Sequence, residues 1–410
     1  MGSPSSTLKL TPHQVLYLRL RGQALVPSLA AGPDPEGRVA RQVCGLQAQD
    51  LFAASLGVWR RCSGATLDDV ERARAEKRTL IWTWLMRGTL HLVCVEDLDW
   101  LLPLVGPVLS AAEHGRRLQL GLDDDACARA MKVIRREIAG NGPRIRSELT
   151  RALAAAGLPT GYSPERHLLY RAALDGLVCI GPDRGAKPTY VLVEDWIGRP
   201  LKPARGREAL ARLAERYLAA YGPAGPPDLA AWSGLPSGMV REAWDAAASQ
   251  FAEVDADGNA LWLPRSRLEE LDGAGNSRDL PDEIGAARLL PAFDNYLLGY
   301  RDREHVLDRK FMKRIFLGSG IISGMILVDG RVAGAWKPNR KGRRVEVTLE
   351  PFRKLPAEAL DRLQTEIQDI ERFVRPGGSE SPSVPGAIPP RAVRPKAARR
   401  IGSSSHPKPL

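Results

Sequence analysis

The chain has 410 residues, 44% hydrophobic and 26% charged, with a formal net charge of +11 and a pI near 9.6. That length supplies two to four modules with sizeable cores, and the composition is that of an ordinary globular protein, not of a disordered or fibrous chain. Five scattered cysteines (Cys44, Cys62, Cys94, Cys127 and Cys179) with no CxxC pair argue against a disulfide framework or a zinc site, and no apolar run reaches membrane-spanning length.

The opening "MGSPSSTLKLTP" has no apolar core of a secretion signal, so a cytoplasmic, non-membrane protein is expected. The basic balance makes a polyanionic partner plausible. Residues 376–410 carry a net +5 of that charge and the rest of the chain +6.

In chain order, residues 1–8 are expected to be a flexible terminus. Residues 9–110 form a first module. Its helical segments are "PHQVLYLRLRGQAL", "GRVARQVCGL", "LFAASLGVWRR" and "TLDDVERARAEKR", the last opening with a capping-box pair, Thr66 and Asp69. "TLIWTWLMRGTLHLVCV" then alternates as two strands about Arg87–Gly88.

Residues 111–200 repeat the pattern. "DACARAMKVIRREIAGNG" places Cys127, Met131, Ile134 and Ile138 on one helical face, and "RIRSELTRALAAAG" ends at Gly157. "SPERHLLYRAALDG" has Ser163 as N-cap and Pro164 at the first helical position, followed by a strand–loop–strand wing, "LVCIGPDRGAKPTYVLV".

Residues 201–285 give the clearest copy. A helix with Leu210, Leu213, Tyr217 and Tyr221 on one face precedes a Gly/Pro break. A short helix started by Asp228, a helix capped by Ser237, and a hairpin about Asp257–Gly258 follow. Helix, helix, turn, helix, hairpin is the winged-helix order. The prediction is a mainly α fold with β wings (α+β), built of tandem winged helix-turn-helix modules. Residues 286–374 add a β-rich module closed by a helix, and residues 375–410 read as a disordered basic tail.

Tandem winged helices point to DNA, with protein–protein scaffolding as the other use of the motif. Candidate DNA-binding or lesion-recognition residues are Arg87, His91, Arg166, Arg171, Arg241, Gly320, Ile321 and Ile322. His91 is the one histidine worth watching, although a structural role is the simpler account. "FLGSGIISGMILVDG", 316–330, reads either as an element probing the duplex or as a core hairpin with a glycine-rich turn. "GSGIISG" has one residue too many for a dinucleotide loop, no P-loop, HExxH or GxSxG occurs, and the histidines show no metal-ligand spacing. No cofactor or metal is expected.

"GLQAQDLF" places two glutamines, Gln47 and Gln49, two residues apart. On a helix they would diverge; in an extended segment they share a side, with Ala48 turned inward. Asp50 favours the extended reading because it is placed to N-cap the following helix. By spacing alone the pair is either polar loop residues or two amides that hold a water.

Three blocks, "GLQAQDLFAASLGVWRR", "WTWLMRGTLHLV" followed by "EDLDWLLPL", and "LLPAFDNYLLGYRDRE", resemble the winged-helix DNA glycosylase superfamily (AlkZ/YcaQ-like), over roughly residues 10–373. The resemblance implies a monomer with a concave basic channel. It also implies monofunctional excision of N7-alkylguanine from double-stranded DNA, including bulky adducts or interstrand crosslinks, to leave an abasic site. In AlkZ-type members it extends to self-resistance against a genotoxic natural product. It assigns Gln47 and Gln49 as the catalytic pair of the AlkZ-type Gln-x-Gln pattern; Asp50 falls one residue too late for the Gln-x-Asp variant. The alternative is a non-catalytic winged-helix regulator or damage-binding protein, which would bind undamaged DNA at a defined site.

Overall fold

The computed structural model describes residues 7–204, 206–268 and 287–375, so the expected basic tail and most of the stretch joining the third module to the C-terminal one lie outside the described residues. The described residues belong to one compact unit.

The chain begins with β1 (Leu8–Leu10), so Leu8 is in a strand and not in the flexible terminus expected for 1–8. α1 (Pro12–Gly22) opens with a Thr11/Gln14 capping box. α2 (Pro35–Gln42) stops short of the predicted "GRVARQVCGL" because Cys44 and Gly45 both take positive φ, 53° and 96°. That break swings the chain into β2 (Leu46–Gln47). A Cβ on Gly45 would sit 2.7 Å from Val93 Cγ1, so the turn needs glycine for space as well as for φ. α3 (Leu51–Arg61) starts at the Asp50 N-cap as predicted, and α4 (Leu67–Ala75) at the Thr66/Asp69 capping box. The wing β3 (Leu80–Trp84) and β4 (Leu90–Cys94) turns through Met86–Gly88.

α5 (Val95–Ala112) and α6 (His114–Gln119) lead to the second copy. It comprises α7 (Asp124–Asn141), β5 (Arg144–Ile145), α8 (Arg146–Ala155), α9 (Tyr162–Leu174), β6 (Val178–Arg184) and β7 (Lys187–Leu192). α9 starts at Tyr162 after Gly161, not at a Ser163 cap. Gly161 takes φ 117°, so the chain enters the helix earlier, and Pro164 is tolerated because first-turn N–H groups have no helical partner. α10 (Val193–Ile197) follows.

In the third copy, α11 (Gly206–Tyr221) precedes α12 (Pro226–Ser233), α13 (Ser237–Ala247), β8 (Phe251–Ala256) and β9 (Asn259–Pro264). α12 begins two residues before Asp228, whose carboxylate instead reaches back to accept from Gly225 N at 3.1 Å. Likewise Ser237 is the first helical residue of α13, after Pro236, and does not cap it. Prolines with fixed φ set both starts.

The C-terminal module contains β10 (Arg288–Leu290), α14 (Asn295–Leu298), α15 (Met312–Ile315), β11 (Phe316–Gly318) and β12 (Ile321–Ile322). β13 (Gly324–Val328), β14 (Arg331–Lys341), β15 (Arg344–Pro351) and α16 (Ala357–Val374) complete it.

Pairing crosses the predicted modules. The first two wings share one six-stranded sheet, β2-β4-β3-β6-β7-β5, joined where Trp82 meets Ile180. β1 pairs in parallel with β8 of the third copy, and α1 packs Leu16 and Leu20 into the core of the C-terminal module. β10-β13-β14-β15 form a separate antiparallel sheet. The largest core gathers Trp100, Tyr217, Tyr221, Trp232 and Tyr300 behind the β3–β4 turn.

Candidate active site

β2 is the edge strand of the shared sheet, pairing antiparallel with β4 so that Gln47 faces His91 and Leu46 faces Leu92. His91 in turn faces Thr83 on β3, so Gln47, His91 and Thr83 form a buried polar row across one face of the sheet. Ala48 is fully buried, as the extended reading of the motif requires. Its N–H donates to Leu90 O at 2.7 Å, and its carbonyl accepts from Trp82 Nε1 at 3.0 Å.

Leu90 N–H donates instead to the side chain of Gln49, whose Oε1 accepts it at 2.9 Å. Gln49 itself is exposed at the entrance to α3, where Asp50 Oδ1 accepts from Phe52 N and Ala53 N at 2.9 and 3.1 Å. Gln47 is 8% exposed, and its Oε1 accepts from Arg87 Nη2 at 2.5 Å. Each donor can only donate, so both amides are oriented unambiguously, oxygen toward the β3–β4 hairpin. Each oxygen keeps a second lone pair for a ligand.

Arg87, at the turn of the wing, is directed inward onto Gln47 and Trp232. It holds φ 57° at the turn, a conformation costing a non-glycine residue about 1–2 kcal/mol, and its other terminal nitrogen donates to Trp232 O. Gly234 and Gly88 let the turn nest between modules: a Cβ on Gly234 would come within 3.1 Å of Arg87 Cα, and one on Gly88 within 2.5 Å of the Tyr170 hydroxyl. Desolvation lowers the guanidinium pKa to about 10, and neighbouring Arg303 also lowers it, so Arg87 remains a cation at neutral pH.

His91 is 2% exposed, and burial, helped by Arg87, pushes its pKa down to about 3. The neutral ring donates Nδ1–H to Thr89 O at 3.0 Å, leaving Nε2 as an acceptor.

Behind β2, Asn295 holds the strand. Its Nδ2 donates to Gly45 O at 2.8 Å and to the Tyr221 hydroxyl at 2.7 Å, while Oδ1 accepts from Gln47 N at 3.4 Å. The preceding Asp294 makes a bidentate pair with Arg61, both contacts at 2.8 Å and both side chains at most 1% exposed. Asn295, Asp294, Arg61 and Tyr221 went unassigned in the sequence. The only signal was an acid and an amide, "FDN", inside an apolar stretch.

The remaining predicted residues lie apart from this network. Arg166 and Arg241 are exposed on α9 and α13. Arg171 is held by Asp175 at 2.7 Å. Gly320, Ile321 and Ile322 belong to the short β11–β12 hairpin, which is separate from core strand β13 and presents Leu317 and Ile321 at 50% and 54% exposure. Among the described residues no helix is long and apolar enough to cross a membrane, and no group of three or more His, Cys, Asp or Glu could hold a metal.

A model of the family described as DNA glycosylase AlkZ-like matches residues 40–373. The chain is 29% identical over 378 residues to an interstrand DNA cross-link repair glycosylase of Streptomyces sahachiroi, covering 87% of this chain and 95% of that protein. It also superposes on the solved structure of the DNA glycosylase AlkZ of Streptomyces sahachiroi, with TM-score 0.74 and 27% identity over 90% of this chain and 97% of that one.

Proposed function

The chain belongs to the AlkZ-like DNA glycosylase family, and on that premise we propose that it hydrolyses the N-glycosidic bond of N7-alkylguanine in duplex DNA, with Gln47 and Gln49 holding the attacking water. The observation that carries this reading is the pair of amide oxygens, each fixed by a donor of the β3–β4 hairpin, Arg87 on Gln47 and Leu90 N on Gln49.

The chemistry suits so mild a pair. Alkylation at N7 makes the guanine cationic, so the base departs with the bonding electrons as a neutral molecule and needs no protonation. The sugar becomes oxocarbenium-like. Water adds at C1′, and one proton is released to solvent. Two carboxamide oxygens orient the water and present negative dipole ends to the developing positive charge without forming a bond themselves. Losing one such preorganised dipole costs about 10²–10³ in rate. Neutral guanine has a far poorer leaving group, which gives selectivity for the lesion. His91, neutral beside Gln47, adds no further positive charge to that of Arg87, which already bonds the Gln47 amide.

No lysine takes part, so the product is an abasic site in an uncut strand. By analogy with the relative named for cross-link repair, we extend the substrate to bulky adducts and interstrand crosslinks. A base tied to the opposite strand cannot swing freely into a closed pocket, which favours an open cleft. The exposed Leu317 and Ile321 on the β11–β12 hairpin suit a probe wedged beside the lesion. The enzyme acts as a monomer on chromosomal DNA in the cytoplasm.

The test gives N7-methylguanine duplex to wild type, Gln47→Ala and Gln49→Ala under single turnover. Wild type releases the base and leaves the strand intact until alkali is added, while each variant slows by at least tenfold. Full activity in both variants, or strand cleavage without alkali, would sink this mechanism.

A further inference from the structure

Residues 337–344 read KPNRKGRR, five cations and no acid. The last β13 partner of β14 is Trp336, opposite Gly324. From Lys337 onward β14 and β15 therefore continue as a two-stranded ribbon whose residues 337–344 are all exposed. Two of the cations have carboxylate partners: Lys337 pairs with Glu350 at 3.1 Å and Arg343 with Asp68 at 2.6 Å. Among the described residues Arg340, Lys341 and Arg344 have none. Arg340 lies opposite Val345, and Lys341 opposite Arg344, so the tip is positive on both faces.

Such clustering is more than edge protection needs, because interspersed charges of both signs prevent strand pairing without self-repulsion. Its position supplies a reason. The Arg340 guanidinium lies over the Phe52 ring, 4.7 Å from its centroid, and its Nε donates to Gly342 O at 2.8 Å. Phe52 is in the first turn of α3, three residues after Gln49, which places their Cα atoms within about 11 Å of each other. One DNA strand carries a phosphate every 3.4 Å or so of helix axis. The ribbon tip therefore lies on the flank of the glutamine motif, within a few nucleotides' reach of DNA held there.

We propose that the β14–β15 ribbon is a phosphate-binding arm, with Arg340, Lys341 and Arg344 gripping the DNA backbone beside the reacting nucleotide. This rests on the reacting nucleotide sitting at Gln47 and Gln49. The arm adds affinity and register, not chemistry, because phosphates carry no lesion information.

Fluorescence anisotropy on an undamaged duplex, over a range of salt concentrations, compares the full chain with R340A/K341A/R344A. The slope of log K against log salt falls by about 2–3, since each lost phosphate contact removes about 0.9. Arg340→Lys keeps the wild-type slope. Neutral methylphosphonates at the three linkages on either side of an N7-methylguanine weaken wild-type binding and leave the triple variant's binding unchanged. Thermal melting unchanged from wild type establishes that the variant is folded. An unchanged slope in the folded variant, or equal methylphosphonate sensitivity in both proteins, overturns the arm. The salt slope is read without excision, so failure of wild type to release N7-methylguanine would count against the catalytic reading alone.

Discussion

The Arg61–Asp294 pair offers a direct test of what holds the glutamine motif in place. Both side chains are shut off from solvent and joined by two contacts of 2.8 Å, and Asp294 Oδ1 also N-caps α14 by accepting from Tyr296 N at 2.8 Å. Asp294→Asn keeps the size and the cap but strands the Arg61 cation in the interior. Removing one partner of a buried pair costs about 3–5 kcal/mol, because the remaining charge is neither solvated nor neutralised. At about 2–4 °C per kcal/mol for a chain of a few hundred residues, the melting temperature falls by roughly 6–20 °C. Arg61→Met leaves the carboxylate stranded and costs a similar amount. The double variant leaves no unpaired charge. It also removes the Arg61 Nε–H, which has no acceptor among the described residues, so it is less destabilised than the two single variants summed by at least about 2 kcal/mol. Since Asn295 next door anchors Gly45 and Gln47, the single variants also lose excision activity at temperatures where they remain folded. Melts followed by circular dichroism, with single-turnover excision measured alongside, decide the matter. A melt of Asp294→Asn within 2 °C of wild type, or strict additivity in the double variant, would refute the reasoning.

Other expectations follow from the same geometry. Arg87→Met frees the Gln47 amide, so the single-turnover rate at saturating enzyme falls by roughly 10–100-fold while duplex affinity stays within about twofold; a loss confined to affinity would return Arg87 to the role of a DNA contact. Gly45→Ala forces a Cβ to 2.7 Å from Val93 Cγ1 at φ 96° and destabilises the protein by about 2–3 kcal/mol, read as a lower urea midpoint. His91 and His305 are held neutral, with pKa values pushed by burial to about 3 and about 2. Their folded values lie below the unfolded value near 6.5, so their contribution is complete above that pH and is lost as pH falls toward 3. Denaturant titrations therefore show stability declining below pH 6.5 with no matching inflection in the excision rate from His91, and a rate inflection near 6.5 that vanishes in His91→Gln would contradict its buried neutral state. The five cysteines are buried and free, and burial pushes the Cys44, Cys94 and Cys179 thiols up to about 12. A thiol reagent should label the native chain only as fast as it unfolds; rapid labelling would show that the cores open locally.

Local chemistry made much of this protein legible before folding was considered. The α3 boundary follows from Asp50, the α4 boundary from Thr66 and Asp69, and the first and third wings from alternating strands around Arg87–Gly88 and Asp257–Gly258. Each depends on residues within a few positions of one another, where capping and φ preferences act. The i, i+2 spacing of Gln47 and Gln49 with Ala48 turned inward was legible for the same reason. The starts of α9 and α12 each fall two residues before the expected ones, because proline and glycine geometry overrides the better side-chain caps.

What only tertiary structure decided is which distant groups those elements meet. Arg87 looked like a wing-tip cation, yet its turn is wedged against Trp232 and Gly234 of another copy, and a cation beside a buried amide bonds it in preference to reaching solvent. β1 pairs with β8, Leu8 opposite Val254, and Asn295 closes on Gly45 across a separation of 250. No period or cap in the sequence encodes such pairings. They arise because burying the tyrosine–tryptophan core forces the polar groups at its edge to find partners, and the partners available there are the backbone of β2 and the amide of Gln47.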